Sequence, residues 1–172
     1  GKEFQYYGGT NGNVLHKICA WAGETQINGI KVQLTDGLKE GESKTFGTQE
    51  GSVKEYVFKR GETITKLSLW GNGVGTRAGR IEFSTSLGNT FSHGMTVWQR
   101  QQEYPINIGS GICCGVFGRA DTAINQLGFV FLRPIKNSTL KDVSYPILEL
   151  IQADTVSEIL DTQTLINESS LE

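Results

Sequence analysis

Along this chain the apolar residues come in short runs at every second position, and turn-forming residues separate the runs. Alternation of that period sends successive side chains to opposite faces of a strand, so half-buried β-strands are predicted. The pattern Ile-x-x-(Ile/Leu)-x-apolar occurs three times, at Ile27-Ile30-Val32-Leu34, Ile64-Leu67-Leu69 and Ile124-Leu127-Phe129-Phe131. A second series, Thr45-Phe46, Glu55-Tyr56, Gly61 and Ile64, returns as Thr90-Phe91, Glu103-Tyr104, Gly109 and Ile112, at offsets of 45 to 48 residues. Repetition at that spacing predicts a quasi-symmetric β structure. Gly8-Gly9, Asn11-Gly12, Asp36-Gly37, Asn72-Gly73 and Gly88-Asn89 hold the residue types that tolerate positive φ, and turns are expected there.

Residues 147–172 break the pattern. Ile147, Leu148, Leu150, Ile151, Val156, Ile159, Leu160, Leu165 and Ile166 are apolar and no glycine interrupts them. Long strands and an amphipathic helix fit this periodicity equally. Either would carry more apolar surface than a free tail, so a cover from this chain or another is expected.

Composition sharpens the division. All 22 glycines fall at or before Gly128. All 16 Lys and Arg lie in 1–141 beside 11 of the 18 acids, leaving that part at +5, while the seven remaining acids put 142–172 at −7. Two differently composed segments meet near 134–146, between Pro134 and Pro146. At 172 residues the chain suits one principal domain that folds without metal or disulfide, and 22 Gly against 3 Pro favours an all-β class. The basic residues stand singly and form no track with interleaved aromatics, so no nucleic-acid partner is expected.

Three cysteines, Cys19, Cys113 and Cys114, are odd in number and two are adjacent, which excludes a disulfide framework. Buried free thiols are expected, because neighbouring cysteines rarely reach good disulfide geometry. No apolar run approaches membrane-spanning length and no signal-peptide pattern is present. A start at Gly in place of Met points to processing or trimming.

Few residues announce chemistry. Gly73-Val74-Gly75-Thr76-Arg77-Ala78 matches the dinucleotide fingerprint in form, but a strand, Arg80-Ile81-Glu82-Phe83-Ser84, follows where that motif needs a helix. The stretch is read as a loop between strands. His16 and His93 sit in no metal-ligand spacing and beside no nucleophile motif, so each is read as a strand-surface residue. Neither an enzyme nor a cofactor is indicated. There remains the stretch from Gly115 to Asn125, with Arg119, Ala120, Asp121 and Thr122 just before the last repeat. Short polar side chains and backbone amides at a strand end suit a sugar, whose hydroxyls need donors and acceptors close together. A solvated turn fits the same residues.

Leu69-Trp70-Gly71-Asn72-Gly73-Val74-Gly75-Thr76-Arg77, Glu103-Tyr104-Pro105, Gly109-Ser110-Gly111, Gly118-Arg119 and Leu127-Gly128-Phe129 resemble the jacalin-like lectin domain of fish aerolysin-like and natterin-like proteins. The resemblance covers about residues 4–134. It implies a β-prism of three four-stranded sheets with pseudo-threefold symmetry over 1–140. Asp142-Val143-Ser144-Tyr145-Pro146 resembles the start of the pore-forming module of the same proteins, which makes 141–172 a linker and first segment of an incomplete module.

In that family the sugar lies against a Gly-x-x-x-Asp signature. Here the stretch is Asp121-Thr122-Ala123-Ile124-Asn125, with Asp121 for the Gly and Asn125 for the Asp. Asn125 still accepts a hydrogen bond but lacks the charge that strengthens it, and Asp121 supplies a charge from a new position. Gly1-Lys2-Glu3-Phe4 is similar to the processed start of jacalin, which places Gly1 at the site and hints at galactose-type as well as mannose-type sugars. The family's first strand would lie upstream of Gly1, so a second chain or another element is expected beside the exposed sheet edge.

The resemblance thus implies a secreted lectin module that brings an aerolysin-like pore former to glycans on a target membrane, in innate defence and as an oligomer. The sugar contacts would be Gly1, Arg119, Ala120, Asp121, Thr122 and Asn125. The sequons Asn137-Ser138-Thr139 and Asn167-Glu168-Ser169 are compatible with secretion. The alternative is a β-prism that has lost sugar binding and serves as an assembly subunit.

Overall fold

The computed structural model describes residues 1–9, 12–73, 77–97 and 101–133. These hold eleven strands and no helix: β1 (Lys2–Tyr7), β2 (Val14–Ala22), β3 (Ile27–Thr35), β4 (Glu40–Gly47), β5 (Ser52–Val57), β6 (Ile64–Gly71), β7 (Ala78–Thr85), β8 (Thr90–Gly94), β9 (Glu103–Pro105), β10 (Cys113–Ala120) and β11 (Ile124–Phe131). The expected boundary at 134–146 and the segment 141–172 lie outside the described residues.

Three antiparallel sheets form, ordered β1-β10-β11, β4-β3-β2-β5 and β8-β7-β6-β9. Each is centred on a hairpin: β10–β11, β2–β3 and β6–β7. In the two four-stranded sheets both sides of the hairpin are occupied. In the third, β1 covers the β10 side, and among the described residues no strand pairs with the far side of β11. The resemblance implied a further strand beside an exposed sheet edge, without saying which edge.

The hairpins repeat one another in register. Each carries a bulge just beyond its connecting loop, leaving Asn28, Gly79 and Asn125 without an opposite residue, and another at its far end, leaving His16, Thr65 and Cys114 unmatched. Bulges bend a strand and raise its twist, which lets flat ladders close around a centre. The 45-to-48-residue series also falls on equivalent outer strands, with Phe46 on β4 and Phe91 on β8, Tyr56 on β5 and Tyr104 on β9. The Ile-x-x-(Ile/Leu) series is only partly equivalent. Ile27 and Ile124 open the second strand of their hairpins, whereas Ile64 opens the first strand of its own; the true counterpart is Ala78-x-x-Ile81-x-Phe83 on β7.

Inward residues of all three sheets merge into one core, with Ile18, Ile30, Leu69, Ile81, Leu127 and Phe129 at most 1% exposed. Tyr56 ties two sheets together, donating its hydroxyl to the buried Glu62 carboxylate while its ring packs edge-on to Phe58 and Phe83. The outer strand β4 is exposed and carries Glu40, Glu42 and Lys44, charges that discourage edge-to-edge association. Gly37 and Gly88 take φ of 91° and 80° at turns foreseen from the sequence.

Cys19, Cys113 and Cys114 are buried free thiols, as expected. Burial first, then the Glu55 carboxylate that accepts the Cys19 thiol at 3.0 Å, pushes Cys19 up to about 11, and burial pushes Cys113 up to about 12. Both stay protonated and unreactive near neutral pH. His16 lies on β2 beside Glu40 at 3.1 Å and His93 on β8 beside the Ser52 carbonyl at 2.8 Å, both on strands. The fingerprint-like stretch falls between β6 and β7, which pair directly, so no helix follows it.

Phe129 is 1% exposed at the centre of this core. Phe129→Ala should cost about 3–5 kcal/mol in equilibrium urea unfolding. The exposed Val53→Ala should stay within about 0.5 kcal/mol of the parent.

Candidate functional site

The loop 121–123 joins β10 to β11, and the start of β1 lies against it because Lys2 pairs with Ala120 and Glu3 with Arg119. This register brings the chain's first residue to the last hairpin. The Gly1 nitrogen lies 4.0 Å from Asp121 Oδ2, and Arg119 Nη1 donates to the Gly1 carbonyl at 3.2 Å. Arg119 Nη2 meets Glu3 Oε1 at 2.9 Å across the strand pair.

Asp121 is the charge centre. Its Oδ1 accepts from the Ala123 amide at 3.1 Å, and its own amide donates to the Ala123 carbonyl at 3.0 Å, a tight local turn. Arg77 Nη2 approaches Oδ2 to 3.7 Å from the β6–β7 connection. Desolvation works to raise the Asp121 carboxyl, but the Ala123 amide, Arg77, Asn125 and the Gly1 amino group outweigh it and hold the group below its ordinary 3.8. The carboxylate is therefore ionised throughout the physiological range, with 41% of its side chain open to solvent.

Asn125 is the bulged residue of β11 and is 1% exposed. Its carboxamide contributes to the field on Asp121, yet neither Oδ1 nor Nδ2 has a hydrogen-bond partner of good geometry. Its counterparts on the other hairpins behave differently. Asn28 donates to the Glu50 carbonyl at 2.8 Å and accepts from Gln26 at 3.2 Å, while position 79 is a glycine with no side chain. Only in the β10–β11 hairpin does the bulge hold a buried amide with unused donor and acceptor capacity. Gly1 packs directly on it: a Cβ at position 1 would stand 2.0 Å from Asn125 Oδ1 and 2.7 Å from the Ala120 backbone.

Thr122 is exposed at the loop tip, and its carbonyl accepts from Thr48 Oγ1 at 2.9 Å. Thr48 follows β4, so the loop is braced from the neighbouring sheet. All six residues singled out in the sequence, Gly1, Arg119, Ala120, Asp121, Thr122 and Asn125, are thus gathered around one loop. Glu3, Thr48 and Arg77 join them and were not among the residues expected there. Glu3 follows from the β1–β10 register, but Thr48 and Arg77 lie 74 and 44 positions from their partners Thr122 and Asp121, and no local pattern marks them.

The set offers a charged acceptor, an amide with both functions, a hydroxyl and cationic donors. That suits hydroxyl-rich, uncharged molecules. No group of three or more His, Cys, Asp or Glu among the described residues could hold a metal ion.

The family model of the jacalin-like lectin domain matches residues 1–130. Among solved structures, the lamprey immune protein shares 45% identity at a TM-score of 0.74, over 79% of this chain and 42% of that one. Malaysian banana lectin shares 22% identity at 0.56, over 75% of this chain and 88% of its own. A prostate-specific glycoprotein lectin shares 22% at 0.57, over 77% and 91%. The two lectins are similar in fold, and the chain spans less than half of the lamprey protein. A search of curated sequences found no match.

The contrast between Asn28 and Asn125 is measurable. Asn28→Ala, which breaks two hydrogen bonds, should lower stability by about 1 kcal/mol more than Asn125→Ala, which breaks none of good geometry. Thermal or urea unfolding of the two variants side by side checks this, and equal losses would count against an unpartnered Asn125.

Proposed function

Because the chain belongs to the jacalin-like lectin family, we propose that it is a carbohydrate-binding module, not an enzyme, whose sugar sits against the 120–125 loop and Gly1. The observation that carries this reading is the buried Asn125 carboxamide, which has no good partner beside the ionised Asp121. A vicinal pair of sugar hydroxyls offers donors and acceptors to the carboxamide and further donors to the carboxylate, and hydrogen bonds to a carboxylate are the stronger kind. The Thr122 hydroxyl adds a donor beside the same ring. Mannose- and galactose-type sugars both present such hydroxyl pairs.

The reading extends to the longer protein. We propose a secreted protein in which this domain delivers an aerolysin-like, natterin-like pore-forming module to glycans on a target membrane, acting in innate defence. Supporting it are the likeness to a lamprey immune protein more than twice the length matched here, and the resemblance at Asp142–Pro146. A second reading is favoured by the side of β11 on which no strand pairs among the described residues: a β-prism that pairs with a further strand or chain and serves as an oligomeric assembly subunit.

A glycan array separates the two. The folded chain should bind a restricted set of glycans, and Asp121→Ala with Asn125→Ala should reduce that binding at least about tenfold, the scale of losing one or two such contacts. No glycan binding by a folded chain would favour the assembly reading. The pH dependence follows from Asp121. Its folded pKa is lowered, so the carboxylate that accepts the sugar persists as pH falls from 7 to 5, and binding should hold over that range. Loss of binding between pH 7 and 6 would exclude Asp121 as the acceptor.

A further inference from the structure

The candidate site does not end at its loop. On the outer face of the three-stranded sheet, the row Glu3–Arg119–Gln126 borders the loop, and the next row is Gln5–Phe117–Gly128. Between them runs an open groove of about 490 Å3, lined by Glu3, Gln5, Phe117 and Gln126 among others. That volume falls within the range of pockets that take ligands of several rings, roughly 300–1,000 Å3.

Its chemistry is unusual for a plain sheet surface. Gln5 and Gln126 present two amide side chains with free choice of donor or acceptor, and neither carries charge. Phe117 is partly exposed on the same face and offers an apolar plate beside them. Gly128, directly opposite Phe117, is buried and adds no side chain to this row. The Glu3–Arg119 pair at the loop end is solvent-exposed, at 78% and 41%, so its mutual attraction is weak and both groups can turn toward a ligand. An uncharged, hydroxyl-bearing chain with alternating polar edges and apolar faces matches this strip, whereas a charged peptide or a lipid headgroup has no fixed counter-charge along it.

We infer that the ligand of this domain is an oligosaccharide: its terminal sugar occupies the 120–125 loop and its next residues lie along the outer face of the sheet, stacked on Phe117 and hydrogen-bonded to Gln5 and Gln126. The inference rests on the carbohydrate-binding reading of the loop and deepens it. It assigns specificity for the inner residues of a glycan to the sheet face, and recognition of the terminal residue to the loop.

Isothermal titration of the full chain with methyl α-mannoside and methyl α-galactoside, and then with linear trisaccharides ending in the same sugars, tests it. For whichever sugar binds, the trisaccharide should bind about tenfold more tightly, the step that one added packing contact with its hydrogen bonds supplies. Phe117→Ala and, separately, Gln5→Ala should remove most of that gain while leaving the monosaccharide affinity unchanged; circular dichroism and unfolding midpoints confirm that both variants fold. Equal affinity for mono- and trisaccharide, or a trisaccharide gain that survives both substitutions, overturns the inference and leaves the loop reading standing. Absence of binding to any of the four sugars, with none on a wider array, overturns the loop reading and this inference with it.

Discussion

Three twisted sheets can enclose a single dry core only if each bends at the same place, and the paired bulges of the three hairpins are what permit it. Each bulge sets one residue out of register, so alternate positions before it still face inward while the chain beyond turns away. Ile30, Ile81 and Leu127 stand at matching points of this arrangement and are all fully buried. The core accounts for the threefold likeness of the sheets. The bulges account for where the connecting loops come out.

Those loops converge at one end. Asp121 is approached from the β6–β7 connection by Arg77 and by Gly1 at the head of β1, and Thr122 is held from the segment after β4 by Thr48. The candidate site is therefore assembled from all three sheets, although its own loop is three residues long. A short loop braced on rigid strands keeps polar groups in place without a large ordering cost when a ligand arrives.

Much of this was legible in the sequence, and the reasons differ by element. Alternation at Ile27–Leu34 identified a real strand because one face of it is mostly buried, and the apolar run Ile124–Phe131 did so although both of its faces are buried. The 45-to-48-residue series found equivalent outer strands because Phe46 and Phe91, like Tyr56 and Tyr104, make the same kind of inward contact in two sheets. The strand β7 escaped the first series because its opening position is Ala78, a small residue that a search for Ile does not register. Arg77 and Thr48 escaped because only tertiary closure brings them to the loop. Asp121 and Asn125 were found through resemblance to a known signature, and the bulge that sets Asn125 apart from Asn28 needed the strand register.

A protein selected for stability alone would not keep a carboxamide at the Asn125 bulge. In this domain the other two bulges show the cheaper solutions, a bonded amide in one and a bare glycine in the other. A polar group that is dehydrated and poorly matched is a point of local frustration, where the folded chain is less content than its surroundings. Frustration of that kind persists when something outside the chain relieves it, and it marks where selection has favoured recognition over robustness. The misfit at the Asn125 bulge sets this hairpin apart from the other two, at the loop that gathers the candidate site.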